Sequence, residues 1–172
     1  MGIARLVGRL TIGGFFVGHG LQKLRGWFGG PGLEGTEQMM ASLRLHPTRQ
    51  NALAAGVTET AGGALVAAGL FTPLAAAGLI GAMTTAVRTV HLPNGPWNAN
   101  GGYEYNLTLI TALAALVESG PGKLSLDHAL GIERRGTGWA LGAVALGVAA
   151  STATTQLSRR LATQHELEGA GI

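Results

Sequence analysis

The chain has 172 residues, enough for one domain, and carries 29 Gly and 27 Ala, about a third of its length. Charged residues make up only 12% and mean hydropathy is +0.29, whereas a soluble domain of this size coats itself with about a quarter charged residues. The composition argues against an ordinary soluble globule, excludes a polar disordered chain, and lacks the triplet period of collagen. The absence of Cys removes dithiol exchange, thiolate-bound clusters, Cys-attached haem and Cys nucleophiles. A pI near 10.0 rests on a net charge of only +3, so it reflects few acids; no basic patch and no nucleic-acid partner are expected.

A membrane-spanning helix needs about 20 mostly apolar residues. The first candidate covers 6–23 and is entered through Arg5 and Arg9. Arg9 interrupts the apolar stretch and no small-x-small site precedes His19-Gly20, which argues against a signal peptide. A glycine-rich loop with Trp27 follows, then a short helix expected from Thr36 as N-cap through Met39, Met40 and Leu43. Residues 52–87 form one apolar run broken only by Glu59, too long for a single span. Thr72-Pro73 splits it into a tight helical hairpin, because Pro suits a first turn and disfavours helix just before it. A second irregular loop, His91 to Gly102, leads to a fourth candidate at 102–117, stopped by Ser119-Gly120-Pro121-Gly122. The stretch 137–157 has no charged residue but a hydroxyl-rich second half, so it either crosses the membrane or lies on its surface. The fold class expected is therefore all-α, an integral membrane four-helix bundle over 1–130. A fifth C-terminal transmembrane or membrane-associated helix would cover 131–157, and a polar, flexible tail 158–172.

Small residues at spacing four permit close helix approach in lipid. Gly14/Gly18, the run Ala55, Glu59, Gly63, Ala67, and the run Ala143, Gly147, Ser151, Thr155 are such stripes, although alanine-rich helices also produce them by chance. The same topology gathers the ionisable residues. His19 and Lys23 end the first span, Glu59 lies roughly 10 Å into the second, and Arg88 and His91 end the third. Tyr103 and Glu104 open the fourth, so all share one end of the bundle, here termed the loop side. Lys23 and Arg25 need no more than snorkelling to headgroups. Glu59 is deeper and needs a partner, for which Arg88 is the candidate; the pair is either a structural bridge or part of a polar pocket under loops 24–51 and 91–104. Interfacial Trp27 and Trp97 fit the edge of such a pocket.

Three shorter matches carry little. Gly30-Pro31-Gly32-Leu33-Glu34-Gly35 fits the dinucleotide glycine pattern without the strand it requires, and Asn106-Leu107-Thr108 fits a glycosylation sequon inside a span. His19 and His91 stand at similar depth, but haem is disfavoured without pairs of His within single helices.

Several strings occur in an order that resembles the DoxX family of small bacterial membrane proteins, over about residues 4–130. They are Arg9 with His19-Gly20-x-x-Lys23, Trp27-Phe28-Gly29-Gly30-Pro31-Gly32, Glu59 with Gly62-Gly63, and Leu70-Phe71-Thr72-Pro73. Gly101-Gly102-x-Glu104 and Gly120-Pro121-Gly122-x-x-Ser125-Leu126-Asp127 complete the order. The resemblance implies a four-helix membrane bundle loosely tied to redox systems, with relatives that include a subunit of a thiosulfate:quinone oxidoreductase. The extension at 137–157 departs from that pattern. The function expected is a redox-linked, inner (plasma) membrane subunit without its own redox cofactor, with quinone as the possible ligand. His19, Glu59 and Arg88 would act on it; Lys23, Trp27, His91, Tyr103 and Glu104 would bind it, and no metal site is expected. Its partners would be the lipid bilayer and either other proteins or further copies of itself. The alternative is a non-catalytic membrane scaffold for partner redox enzymes, with the polar cluster structural. Lys and Arg divide almost evenly between the two sides, so the positive-inside rule does not set the orientation.

Overall fold

Glycine decides how the first two long helices meet. In the computed structural model, which describes residues 2–169 (without the side chains of 165, 166, 168 and 169), α1 spans Ile3–Arg25 and α3 spans Thr48–Ala68. They approach at two levels, Gly13 against Gly63 and Ala67, and Gly20 against Gly56 and Thr60. A Cβ on Gly63 would lie 2.6 Å from the Gly13 carbonyl oxygen and 2.8 Å from Phe16 Cβ, too close for any packing. Gly63→Ala is therefore expected to destabilise the protein by about 1–3 kcal/mol, the range of overpacking costs. Gly14→Ala, whose Cβ meets nothing within 4 Å, should leave the melting temperature in mild detergent unchanged. The expected Gly14/Gly18 stripe thus makes no close approach. Spacing does not say which face is used, and the buried face of α1 is Arg9, Gly13, Phe16 and Gly20.

Between them lies α2 (Gly32–Ser42), whose N-cap, Pro31, comes five residues earlier than the expected Thr36. Thr36 is inside it, not its N-cap, because Pro31 already holds the chain ready for a first turn. The Thr36 hydroxyl instead donates to the carbonyls of Gly32 (2.7 Å) and Lys23 (3.2 Å), tying α2 to the end of α1.

The hairpin at Thr72-Pro73 forms as the sequence indicates. Gly69 ends α3 in the left-handed region, Pro73 sits in the first turn, and α4 runs Thr72–Ala86. α4 is the central element: Ala75, Ala76, Ala77, Leu79 and Ile80 are buried, and it packs against α3, α5 (Glu104–Ser119) and α7 (Thr137–Gly169). Phe16, Val66, Leu79, Ile80, Leu113 and Val117 form the core these helices share. The α7 stripe is realised in full. Ala143, Ser151 and Thr155 are buried, and a Cβ on Gly147 would lie 2.7 Å from the Ala77 carbonyl oxygen. α7 continues as helix through 158–169; residues 170–172 of the expected tail lie outside the described residues. Every regular element among the described residues is helical.

At the end opposite the loop side, the turn into α4 is held from a distance. The short helix α6 (Leu126–Ala129) carries Asp127, whose carboxylate accepts from Phe71 N (2.7 Å), Thr72 N (3.0 Å) and Thr72 Oγ1 (2.7 Å). These are orphan donors of a helix N-terminus, where a negative charge also suits the dipole. Arg9, 1% exposed, donates from Nη2 to the Leu124 carbonyl at 2.5 Å, and Asp127 is near enough for its charge to act on it. Its Nε and Nη1 have no hydrogen-bond acceptor among the described residues.

Candidate functional site

On the loop side a cavity of about 270 Å³ lies among α2, α3, α4 and α7. α4 supplies Gly78, Gly81, Ala82, Thr85 and Ala86, which recur every three or four residues and so share one helix face, and the turn of helix that continues it supplies Thr89. α3 supplies Asn51, Ala54, Ala55, Thr58 and Glu59 by the same periodicity, and α7 supplies Ala150, Ser151 and Thr154. Met39, Met40, Leu43 and Leu45 form the part nearest α2, and Lys23 reaches in from α1. The α4 wall is therefore small and mostly apolar, because four of its five lining residues are Gly or Ala. Polar groups enter at chosen points.

One such point is an ion pair. Lys23 Nζ donates to Glu59 Oε2 at 2.5 Å, with Glu59 5% exposed and the Lys23 side chain 22% exposed. Glu59 sits eleven residues into α3, roughly 16 Å from its start at 1.5 Å per residue, deeper than the sequence indicated because α3 begins at Thr48. A carboxylate at that depth is tolerated only when paired. Its partner is Lys23, not Arg88. Arg88 falls on a π-helical turn, Val87–His91, whose extra residue shifts the phase of the helix surface. Its Nη1 donates to Thr152 Oγ1 (2.7 Å) and Ser151 Oγ (3.4 Å) on α7. The second polar point faces it from α4 and α7: Thr85 Oγ1 lies 2.9 Å from Ser151 Oγ and also donates to the Gly81 carbonyl at 2.9 Å.

The remaining candidates organise the loops. His19 is exposed and its Nδ1 is bonded to Gln22 Oε1 at 2.9 Å, while Gln22 Nε2 donates to the Phe28 carbonyl at 3.4 Å. Trp27, exposed, meets Phe28 edge-on with centroids 6.3 Å apart. His91 Nδ1 donates to the Gly101 carbonyl at 2.7 Å, folding the second loop back on itself. Tyr103 N and Glu104 N donate to Gly95 O (3.2 Å) and Pro96 O (2.8 Å), which places Glu104 in the first turn of α5. Of the eight candidates, Lys23 and Glu59 line the cavity; His19, Trp27, Arg88, His91, Tyr103 and Glu104 do not. Asn51, Thr58, Thr85, Thr89, Ser151 and Thr154 are the polar lining residues that sequence reasoning did not select. The signal for Thr85 and Thr89 was present as the Gly78, Gly81, Ala82, Thr85, Ala86, Thr89 face, a run of small and hydroxyl residues at helical spacing. Among the described residues, no group of three or more His, Asp or Glu is placed to hold a metal ion.

This arrangement offers a charged donor–acceptor pair and two hydroxyls around a narrow apolar space. It suits a flat, small ligand with hydrogen-bonding oxygens better than a highly charged one, because the Lys23 and Glu59 charges already offset each other.

Neither the curated proteins nor the solved structures contain a match to the chain. Among protein families, DoxX matches residues 4–92, just over half the chain, a region that carries Arg9, Lys23, Glu59 and the whole of α4. Two helices, Thr72–Asn94 and Thr137–Gln164, are long and apolar enough to cross a membrane, in keeping with that match. The chain belongs to the DoxX family.

Proposed function

We propose that this protein is a multi-pass inner (plasma) membrane subunit of a redox-linked system, and that its loop-side cavity binds the ring of a quinone. In this reading α1, α3, α4, α5 and α7 cross the bilayer, and α2 lies near the surface as a cover. Family membership supports the membrane setting. The observation that carries the ligand class is the cavity itself: a Gly- and Ala-rich α4 wall with the Lys23–Glu59 pair on one side and Thr85–Ser151 on the other. Ring oxygens presented to both sides would meet Lys23 Nζ and the Ser151 hydroxyl as donors. A quinone supplies electron-accepting capacity together with proton uptake at its oxygens, the electrons coming from a partner protein or a further copy of the chain. Glu59 and Lys23 would then hold and exchange protons near one oxygen. Arg88 acts at one remove, fixing the Ser151 hydroxyl through its own hydrogen bond. His19, Trp27, His91, Tyr103 and Glu104 shape the loops above.

The test is equilibrium binding of a short benzoquinone to purified protein in nanodiscs. Saturable binding is expected, weakened about threefold to tenfold in Ser151→Ala and in Glu59→Gln, the cost of one lost hydrogen bond. Absence of binding, or unchanged affinity in both variants, would sink the reading and leave a non-catalytic scaffold for redox enzymes.

A further inference from the structure

The boundary of the cavity is uneven. Towards the loop side it is closed: Met40 and Leu45, 6% and 3% exposed, pack on Ala52 into a small apolar cluster. α2 is fastened above it by Thr36 on the Lys23 carbonyl and by the Arg49–Glu37 ion pair at 2.9 Å. Between α3 and α7 the closure is thin. The direct hydrogen bond there, Ser158 Oγ donating to Asn51 Oδ1 at 3.4 Å, lies at the loop-side end. Below it Ala54, Gly78, Ala150 and Thr154 line the cavity and are themselves exposed. Ala54 is six residues inside α3 and Gly78 six residues inside α4, each roughly 9 Å from a helix end. With these helices crossing the bilayer as proposed above, that depth falls within a hydrocarbon layer about 30 Å thick, where this rim of small residues would face acyl chains.

We propose that the cavity opens sideways into the bilayer between α3 and α7 and takes a chain-bearing ring compound dissolved in the membrane. The ring lies by Lys23–Glu59 and Ser151, and the chain leaves past Ala54 and Ala150. The inference rests on the cavity being a ring site. The occupant is a ligand and not a helix of another copy, because a helix about 10 Å wide does not enter a space of about 270 Å³. The water side is shut by the Met40–Leu45–Ala52 cluster, which leaves the lipid flank as the route. α7 lies outside the residues matched to the family, so this chain's own extension supplies one lip of the opening.

Because the chain has no native Cys, single-Cys variants report cleanly. Bimane attached to Ala150→Cys in phosphatidylcholine vesicles should be quenched by lipids brominated along their acyl chains. Failure to quench overturns the opening, whatever becomes of the ring site. Disulfide formation between two copies through Ala150→Cys would overturn it too, by making this flank an interface. In nanodiscs, a benzoquinone with a ten-carbon chain and the same ring without the chain are then compared. Ala150→Trp, and independently Ala54→Trp from the other lip, should weaken the chain-bearing compound about tenfold, with much less effect on the bare ring. Equal loss of both compounds, or of neither, overturns the assignment of the chain path. Unaltered protein that binds neither compound sinks the ring-site reading, while the bromolipid measurement still decides the opening. Circular dichroism and gel filtration of each variant confirm that it is folded.

Discussion

Lys23→Met is expected to destabilise the protein by about 3–5 kcal/mol, the range found when one partner of a buried ion pair is removed. The reason is asymmetric. Glu59 lies about mid-way along α3, is 5% exposed and takes its cation from another helix, so it is left as an uncompensated charge. Glu59→Gln should cost less. Lys23 is near the end of α1 and more open, and its long stem can turn towards the headgroups. Lys23→Met combined with Glu59→Leu should recover most of the loss, since apolar replacement of both partners removes the stranded charge. Thermal unfolding in one detergent, read as a double-mutant cycle, gives the coupling directly. Additive single effects would mean that the pair contributes nothing as a pair. The same series separates stability from binding: the double variant should be folded yet bind a benzoquinone poorly.

That pairing also marks where the sequence could and could not be read. The long helices themselves were legible. Hydropathy, Thr72-Pro73 and the stop at Ser119-Gly120-Pro121-Gly122 place α1, α3, α4, α5 and α7 close to where they stand. Glu59 was legible as a site because one carboxylate in a long apolar run must find a partner. Which partner it takes was not. Helical phase predicts a face only while the helix keeps its period, and the π turn at Val87–His91 swings Arg88 to Ser151 and Thr152. Gly13 and Gly20 were missed for a related reason, since glycine is so frequent in α1 that spacing alone does not choose among stripes. Depth along the axis follows from sequence to within about a turn, as the Glu59 position shows; direction around the axis is set by contacts between helices distant in the chain.

The second large effect lies at the other end of the molecule. Asp127→Ala should destabilise the protein by at least about 4 kcal/mol, because it strips both backbone donors at the start of α4 and leaves a buried arginine behind. Among the described residues Phe71 N and Thr72 N have this carboxylate alone as their bonded acceptor, and Thr72, 0% exposed, cannot turn to water. Arg9 would retain the Leu124 carbonyl alone, with its charge unopposed. Asp127→Asn keeps one acceptor oxygen but presents an amide to a donor, so its loss should be intermediate. Arg9→Met should be the mildest of the three, since Asp127 keeps all three of its hydrogen bonds to Phe71 and Thr72. Melting temperatures test the order. Amide exchange tests the mechanism: in Asp127→Asn the first turn of α4 should exchange faster while mid-helix Ile80 does not. If Arg9→Met melts as low as Asp127→Ala, the charge pair stabilises this end of the molecule more than the helix cap does. If Asp127→Ala melts like the unaltered protein, the turn between α3 and α4 is held by packing alone. A latch of this kind bears on the cavity, because α4 carries the Gly78–Ala86 wall. Rotation of α4 about its own axis would withdraw Thr85 from Ser151, so Asp127→Asn should also weaken benzoquinone binding from the far end of the helix.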